Sequence, residues 1–175
     1  MPIYKKVGIG ILLCFFFFVL PYIIPLPNNS TLTYSDISPR EGSYITIDGY
    51  ESFVIEKNPA AKNTIVFIHG FAGNTQNWRN VIETLKNEGN RIIAIDLINF
   101  GFSERDRTKQ MSHSDQAELI YQILTKIEVE RAVFVGHSMG SSVISHLYIN
   151  YPNLIEGLTF ISPSTFVANP RNWFI

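Results

Sequence analysis

Four short apolar runs recur along the chain: TIVFI at Thr64–Ile68, RIIAI at Arg91–Ile95, AVFV at 132–135 and GLTFI at 157–161. Each is rich in β-branched side chains and lacks polar alternation, the pattern of a strand buried on both faces. Between them lie stretches with helical spacing. Residues 76–88 place Trp78, Val81, Ile82 and Leu85 on one face, with Gly89 as a stop. Residues 113–128 carry Ala117, Ile120, Ile123, Leu124 and Ile127 behind Ser112, which has Asp115 three positions on as a capping partner. Residues 139–150 form a third helix. A hairpin at 44–47 and 53–56, turning at Asp48-Gly49, comes first. Alternation of this kind predicts an α/β fold, a mostly parallel sheet with helices on both faces. Ligands bind such sheets beyond the carboxyl ends of the strands. The residues that follow each strand are therefore the candidates for chemistry.

After AVFV comes Gly136-His137-Ser138-Met139-Gly140, which fits G-x-S-x-G between a buried strand and a helix. A serine on that turn points its hydroxyl into the cleft, and the flanking glycines let strand and helix close together. The Met139 N–H, at the helix N-terminus, is aimed where an oxyanion would form. The alternative is a glycine-rich turn whose serine merely caps the helix. After TIVFI comes His69-Gly70-Phe71-Ala72-Gly73, a turn that can aim the Phe71 N–H at the same cleft. After RIIAI comes Asp96, read as a structural carboxylate that satisfies loop amides.

With HGFAG at 69–73, DLINFGFS at 96–103 and GHSMG at 136–140, the chain resembles the α/β-hydrolase superfamily over residues 43–163. The resemblance is nearest to esterases, lipases and C–C-bond hydrolases. It implies an α/β-hydrolase fold, Ser138 as nucleophile, Phe71 and Met139 as oxyanion donors, and an acyl-Ser138 intermediate formed without metal or cofactor. His69, Gly70, Gly73, Gly136, His137 and Gly140 then shape the turn and the elbow. Dehalogenase and epoxide-hydrolase branches use Asp at the elbow, so Ser138 argues against them.

A serine nucleophile needs a base, itself oriented by an acid. The family's order is Ser, then Asp or Glu, then His. Downstream of Ser138 stand only His146 and Glu156, in the reverse order. His146 lies eight residues into the helix, roughly 12 Å along its axis. His113 reads as a solvated first-turn residue, and His69 as a lining of the turn. No credible base is visible. The resemblance implies two further strands that bear the acid and the histidine. The expectation is thus an N-terminal portion of a hydrolase domain at 43–175, truncated after the sixth strand and inactive or nearly so by itself. The competing reading is a non-catalytic binding module that retains the fold and elbow.

Residues 7–26 carry no charge and follow Lys5 and Lys6. As a helix the run spans about 30 Å, the thickness of a bilayer core. Segment 1–26 is expected to be a membrane anchor with a cytoplasmic N-terminus and the hydrolase domain outside. A cleaved signal peptide, which would give a secreted protein, is the alternative. Residues 27–42, rich in Pro, Asn, Ser and Thr, read as a linker. The chain has 14 Lys+Arg against 15 Asp+Glu, which argues against a nucleic-acid binder. Cys14 is the only cysteine, so neither an internal disulfide nor a cysteine zinc site fits. The expected partners are a small-molecule or lipid ester substrate and, through 7–26, the membrane.

Overall fold

The structure, a computed structural model, describes residues 41–106, 108 and 110–164, together with Gly8, Phe15 and Phe16. The chain divides into two compact units, Met1–Thr33 and Tyr34–Ile175. All of the anchor expected at 7–26 except Gly8, Phe15 and Phe16, and nearly all of the linker at 27–42, lie outside the described residues. Among the described residues, no helix is long and apolar enough to cross a membrane.

Among the described residues six strands form one sheet. The hairpin pairs β1 (Ser43–Ile47) with β2 (Tyr50–Lys57). Its turn uses Asp48 and Gly49, both at positive φ (50° and 84°), as a twisted two-residue connection demands. Then come β3 (Thr64–Ile68), β4 (Arg91–Ile95), β5 (Ala132–His137) and β6 (Ile155–Ile161). The order across the sheet is β1-β2-β4-β3-β5-β6. The β1–β2 and β2–β4 pairs are antiparallel and the rest parallel. Three helices connect the parallel strands: α1 (Arg79–Leu85), α2 (His113–Lys126) and α3 (Met139–Asn150).

Helices lie on both faces. On one, α2 and α3 bury Ala117, Ile120, Ile123, Leu124, Val143 and Leu147 against Val54, Val66, Ile68, Ile93 and Ile95. On the other, Trp78 and Ile82 pack with Phe53, Phe67, Ile92 and Ala94. Each fully buried Ile or Phe stabilises the fold by roughly 1.5–3 kcal/mol relative to exposure. Ser112 starts α2 with a closed capping box: its hydroxyl accepts the Asp115 N–H at 3.1 Å, and the Asp115 carboxylate accepts the Ser112 N–H at 2.9 Å.

Three expectations are corrected. GLTFI is not buried on both faces: Phe160 and Ile161 are 43% and 41% exposed. Within the described sheet β6 stands at an end and pairs only with β5. The helix at 76–88 is three pieces, a 3₁₀ turn at Thr75–Trp78, α1, and a second 3₁₀ turn at Lys86–Glu88. The tighter opening turn rotates the buried stripe to Thr75, Trp78 and Ile82 and leaves Val81 exposed. His113 is half-buried rather than solvated, because the start of α2 packs by α3, with its ring 6.5 Å from that of His146. Burial chiefly, and His146 in addition, lower its pKa.

Candidate active site

Strand register assembles the site. Ile68 pairs with Ile95 on one side and Gly136 on the other. His69, Asp96 and His137-Ser138 therefore emerge at the same edge of the sheet, at its carboxyl end.

Ser138 joins β5 to α3 with φ 48° and ψ −115°. A non-glycine residue there carries strain of about 1–3 kcal/mol, sustained by its surroundings. Those surroundings are explicit. The Ser138 N–H donates to the Ile161 carbonyl at 2.9 Å, and the Ser138 carbonyl accepts the Ser141 N–H at 3.0 Å. The buried Ser141 hydroxyl donates to the Gly136 carbonyl at 2.8 Å. A Cβ on Gly136 would meet the Gly140 carbonyl at 2.8 Å, and one on Gly140 would run into the Ile68 and His69 carbonyls. Strand and helix thus cross where only glycine fits. Ser138 stands at the N-cap of α3, yet its side chain makes no cap hydrogen bond.

The turn after β3 lies against this elbow. A Cβ on Gly70 would come within 2.8 Å of His137 Nδ1 and 3.1 Å of Ser138 Cβ. Gly73 N–H closes the turn on the Gly70 carbonyl at 3.0 Å, with Ala72 at φ 55°. Phe71 occupies the turn's tip, its side chain 76% exposed. Met139 is the first residue of α3, where N–H groups have no partner within the helix.

His69 is buried and both ring nitrogens are engaged. Nε2 accepts the Leu97 N–H at 3.0 Å, so Nδ1 carries the proton and donates to the Gly70 carbonyl at 2.7 Å. Burial pushes its pKa down to about 4, against the opposing pull of the Gly70 bond. It is a neutral brace between two loops. Asp96, fully buried, accepts the Thr75 N–H at 2.5 Å and the Phe102 N–H at 2.7 Å. Burial raises its pKa to about 6, and those two N–H groups hold it from rising further. It ties the loop after β3 to the loop after β4.

The other candidates are not brought to the serine. Glu156 is exposed near the start of β6, at the opposite edge of the sheet. His146 packs with His113 between α2 and α3. Sequence reasoning passed over three residues that build the site's walls. Ser103, fully buried, donates to the Asp96 carbonyl at 2.6 Å and accepts the Phe53 N–H at 2.8 Å. Gln116, 3% exposed, grips Ile98. Phe100 lies edge-on to both His69 and Phe71. Gln116 carried a readable signal: it sits four residues before Ile120, on the apolar stripe of α2, where a polar residue requires a partner.

A family model described as alpha/beta hydrolase fold matches residues 63–174. Over 122 residues the chain is 32% identical to an uncharacterized hydrolase, YugF, of Bacillus subtilis, covering 70% of this chain and 44% of that one. It is 30% identical over 107 residues to the probable lysophospholipase BODYGUARD 4 of Arabidopsis thaliana, covering 60% and 26%. A solved structure of a probable hydrolytic enzyme from Pseudomonas aeruginosa superposes with a TM-score of 0.66 at 26% identity, covering 73% of this chain and 42% of that one. The chain thus spans less than half the length of these relatives. The match over residues 63–174, with the strand order and the elbow at Ser138, places the chain in the α/β-hydrolase fold family.

Proposed function

We propose that the chain carries the nucleophile and oxyanion hole of a serine hydrolase that cleaves carboxylic esters or related acyl bonds. One observation carries this reading. Ser138 is held at φ 48° at the head of α3, with its hydroxyl unspent on capping the helix. A serine kept for capping would have neither property.

In this mechanism Ser138 Oγ attacks the acyl carbon and loses its proton to a base. The Phe71 and Met139 N–H groups donate to the oxygen as it gains charge. The bond to the leaving alcohol then breaks, the alcohol takes the proton, and the acyl group remains on Ser138 until water releases the acid. Removing one such donor costs about 10²–10³ in rate in related chemistry. Of the described histidines, His69 is engaged at both nitrogens, and His113 and His146 face one another between α2 and α3, so none of these three is placed to serve as the base. In this reading the described residues supply the nucleophile and the oxyanion hole, and both acylation and turnover also need the base and its orienting acid.

We assign residues 7–26 to a membrane anchor, with the hydrolase domain outside the cytoplasm and a small-molecule or lipid ester as substrate. The uncharged run behind Lys5 and Lys6 supports this. A relative named as a probable lysophospholipase is compatible with a lipid ester.

The test is fluorophosphonate labelling in native membranes with a Ser138→Ala control. The expected result is a membrane-associated labelled band that vanishes in the control. An intact, folded protein that takes no label would instead make this a binding module that retains the fold and elbow.

A further inference from the structure

The loop after β4 is held in an unusual way. Gln116 on α2 makes a two-pronged contact with one backbone unit: its Oε1 accepts the Ile98 N–H at 3.1 Å, and its Nε2 donates to the Ile98 carbonyl at 2.9 Å. Both residues are buried, so an unmade bond here leaves a dry, unpaired polar group. The next residue, Asn99, is at φ 73°. Its N–H donates to the Glu104 carbonyl at 2.9 Å, and its Oδ1 accepts the Asp106 N–H at 2.7 Å. Phe100 N–H then turns back to the Leu97 carbonyl at 2.9 Å. The clamp and the bend fix the backbone at Phe100 and so limit the ring's position.

That position is between His69 and Phe71. The Phe100 ring meets His69 edge-on at 5.7 Å and Phe71 edge-on at 5.6 Å. Phe71 is otherwise 76% exposed at the tip of its turn. Edge-on aromatic pairs of this geometry hold their partners beyond simple area burial.

We propose that Gln116 and Phe100 are positioning residues for the Phe71 N–H: Gln116 locks Ile98, Ile98 sets Phe100, and Phe100 holds the turn so that its N–H meets the developing oxyanion. The proposal rests on the serine-hydrolase reading above. Neither residue touches the reacting atoms.

The test measures fluorophosphonate labelling of Ser138 in native membranes across probe concentrations. Variants are Gln116→Met, Phe100→Leu, Phe100→Tyr and the Gln116→Met/Phe100→Leu double. Expected is a fall in the maximal labelling rate of about tenfold or more for Gln116→Met and Phe100→Leu, with the half-saturating probe concentration unchanged. Phe100→Tyr, which keeps the ring edge, retains the wild-type rate. The double variant is no slower than the slower single, because both act through one contact. Should Gln116→Met fail to accumulate, the contrast between Phe100→Leu and Phe100→Tyr decides by itself. Wild-type rates in Gln116→Met and Phe100→Leu, or effects that multiply in the double, overturn the proposal while the serine-hydrolase reading stands. A wild-type protein that takes no label overturns both.

Discussion

Gly70 and Ser138 face each other across two adjacent strands: a Cβ on Gly70 would stand 3.1 Å from the Cβ of Ser138. The turn after β3 and the elbow after β5 are thus one unit, and a methyl group at position 70 pries them apart. Gly70→Ala also meets His137 Nδ1 at 2.8 Å and the His137 carbonyl at 3.2 Å. The expected outcome is a loss of stability of about 1–3 kcal/mol. Labelling of Ser138 is expected to slow by roughly tenfold or more, since the Phe71 N–H moves with the turn. Thermal melts and labelling rates on one preparation check both; a normal rate would separate the turn from the reactivity of Ser138.

Ser138 holds a positive φ of 48° that a Cβ makes costly. Ser138→Ala keeps that cost, whereas Ser138→Gly releases it. Both variants lose covalent labelling. Ser138→Gly is expected to be the more stable by roughly 0.5–1 kcal/mol, the release being partly offset by the extra entropy of an unfolded glycine. Chemical denaturation of the two variants side by side measures the difference, and equal stabilities would mean that the elbow is unstrained.

Gly140→Ala directs its methyl group into the Ile68 and His69 carbonyls. Backbone at the centre of a sheet cannot move aside as a flexible side chain can. The variant is expected to lose about 3 kcal/mol or more and to leave little folded protein. Soluble yield and circular dichroism report this. Wild-type yield would show that α3 can slide on β5.

Asp96 and His69 titrate with opposite consequences. Burial raises Asp96 from 3.8 to about 6, so between those values the folded chain keeps a proton that the unfolded chain has released. Stability from this group falls as pH rises through that window. His69 is lowered from 6.5 to about 4, so between 4 and 6.5 the unfolded chain holds the extra proton. Its contribution rises with pH. Each amounts to about 3 kcal/mol at full extent, and over most of the window they cancel. Between about pH 4 and 6.5 the Asp96 and His69 contributions nearly offset each other, so wild-type stability is expected to rise only gently with pH, through His113, whose pKa is also lowered. Asp96→Asn removes the falling part, so its stability should climb by about 3 kcal/mol over the same range. Urea unfolding across that interval tests this, and a flat Asp96→Asn curve would refute the assignment.

The periodic parts of the fold are legible in the sequence. TIVFI and RIIAI are β3 and β4 to the residue, and 139–150 is α3. Ser112 and Asp115 close the capping box that their spacing suggested. These signals are local: a β-branched run, an apolar stripe and a cap each act within a few residues. The failures were not local. Val81 sits on the stripe by a 3.6-residue count, but Asn74 and Asn77 bond reciprocally and Asp96 grips the Thr75 N–H, which tightens the opening turn and rotates Val81 outward.

Sequence by itself determined the strand–helix alternation, the serine on a strand-to-helix turn, and the need for glycine on either side of it. Tertiary structure decided which strands are neighbours, and so brought the turn at Gly70 onto Ser138 from a position 68 residues away in sequence. It decided that His69 is a neutral brace, because proton affinity follows burial and partners rather than residue type. It also decided that Gln116, polar on an apolar stripe, has a purpose. A side-chain amide becomes a clamp only when packing brings a buried peptide unit within 3.1 Å of it, and no spacing along the chain encodes that approach.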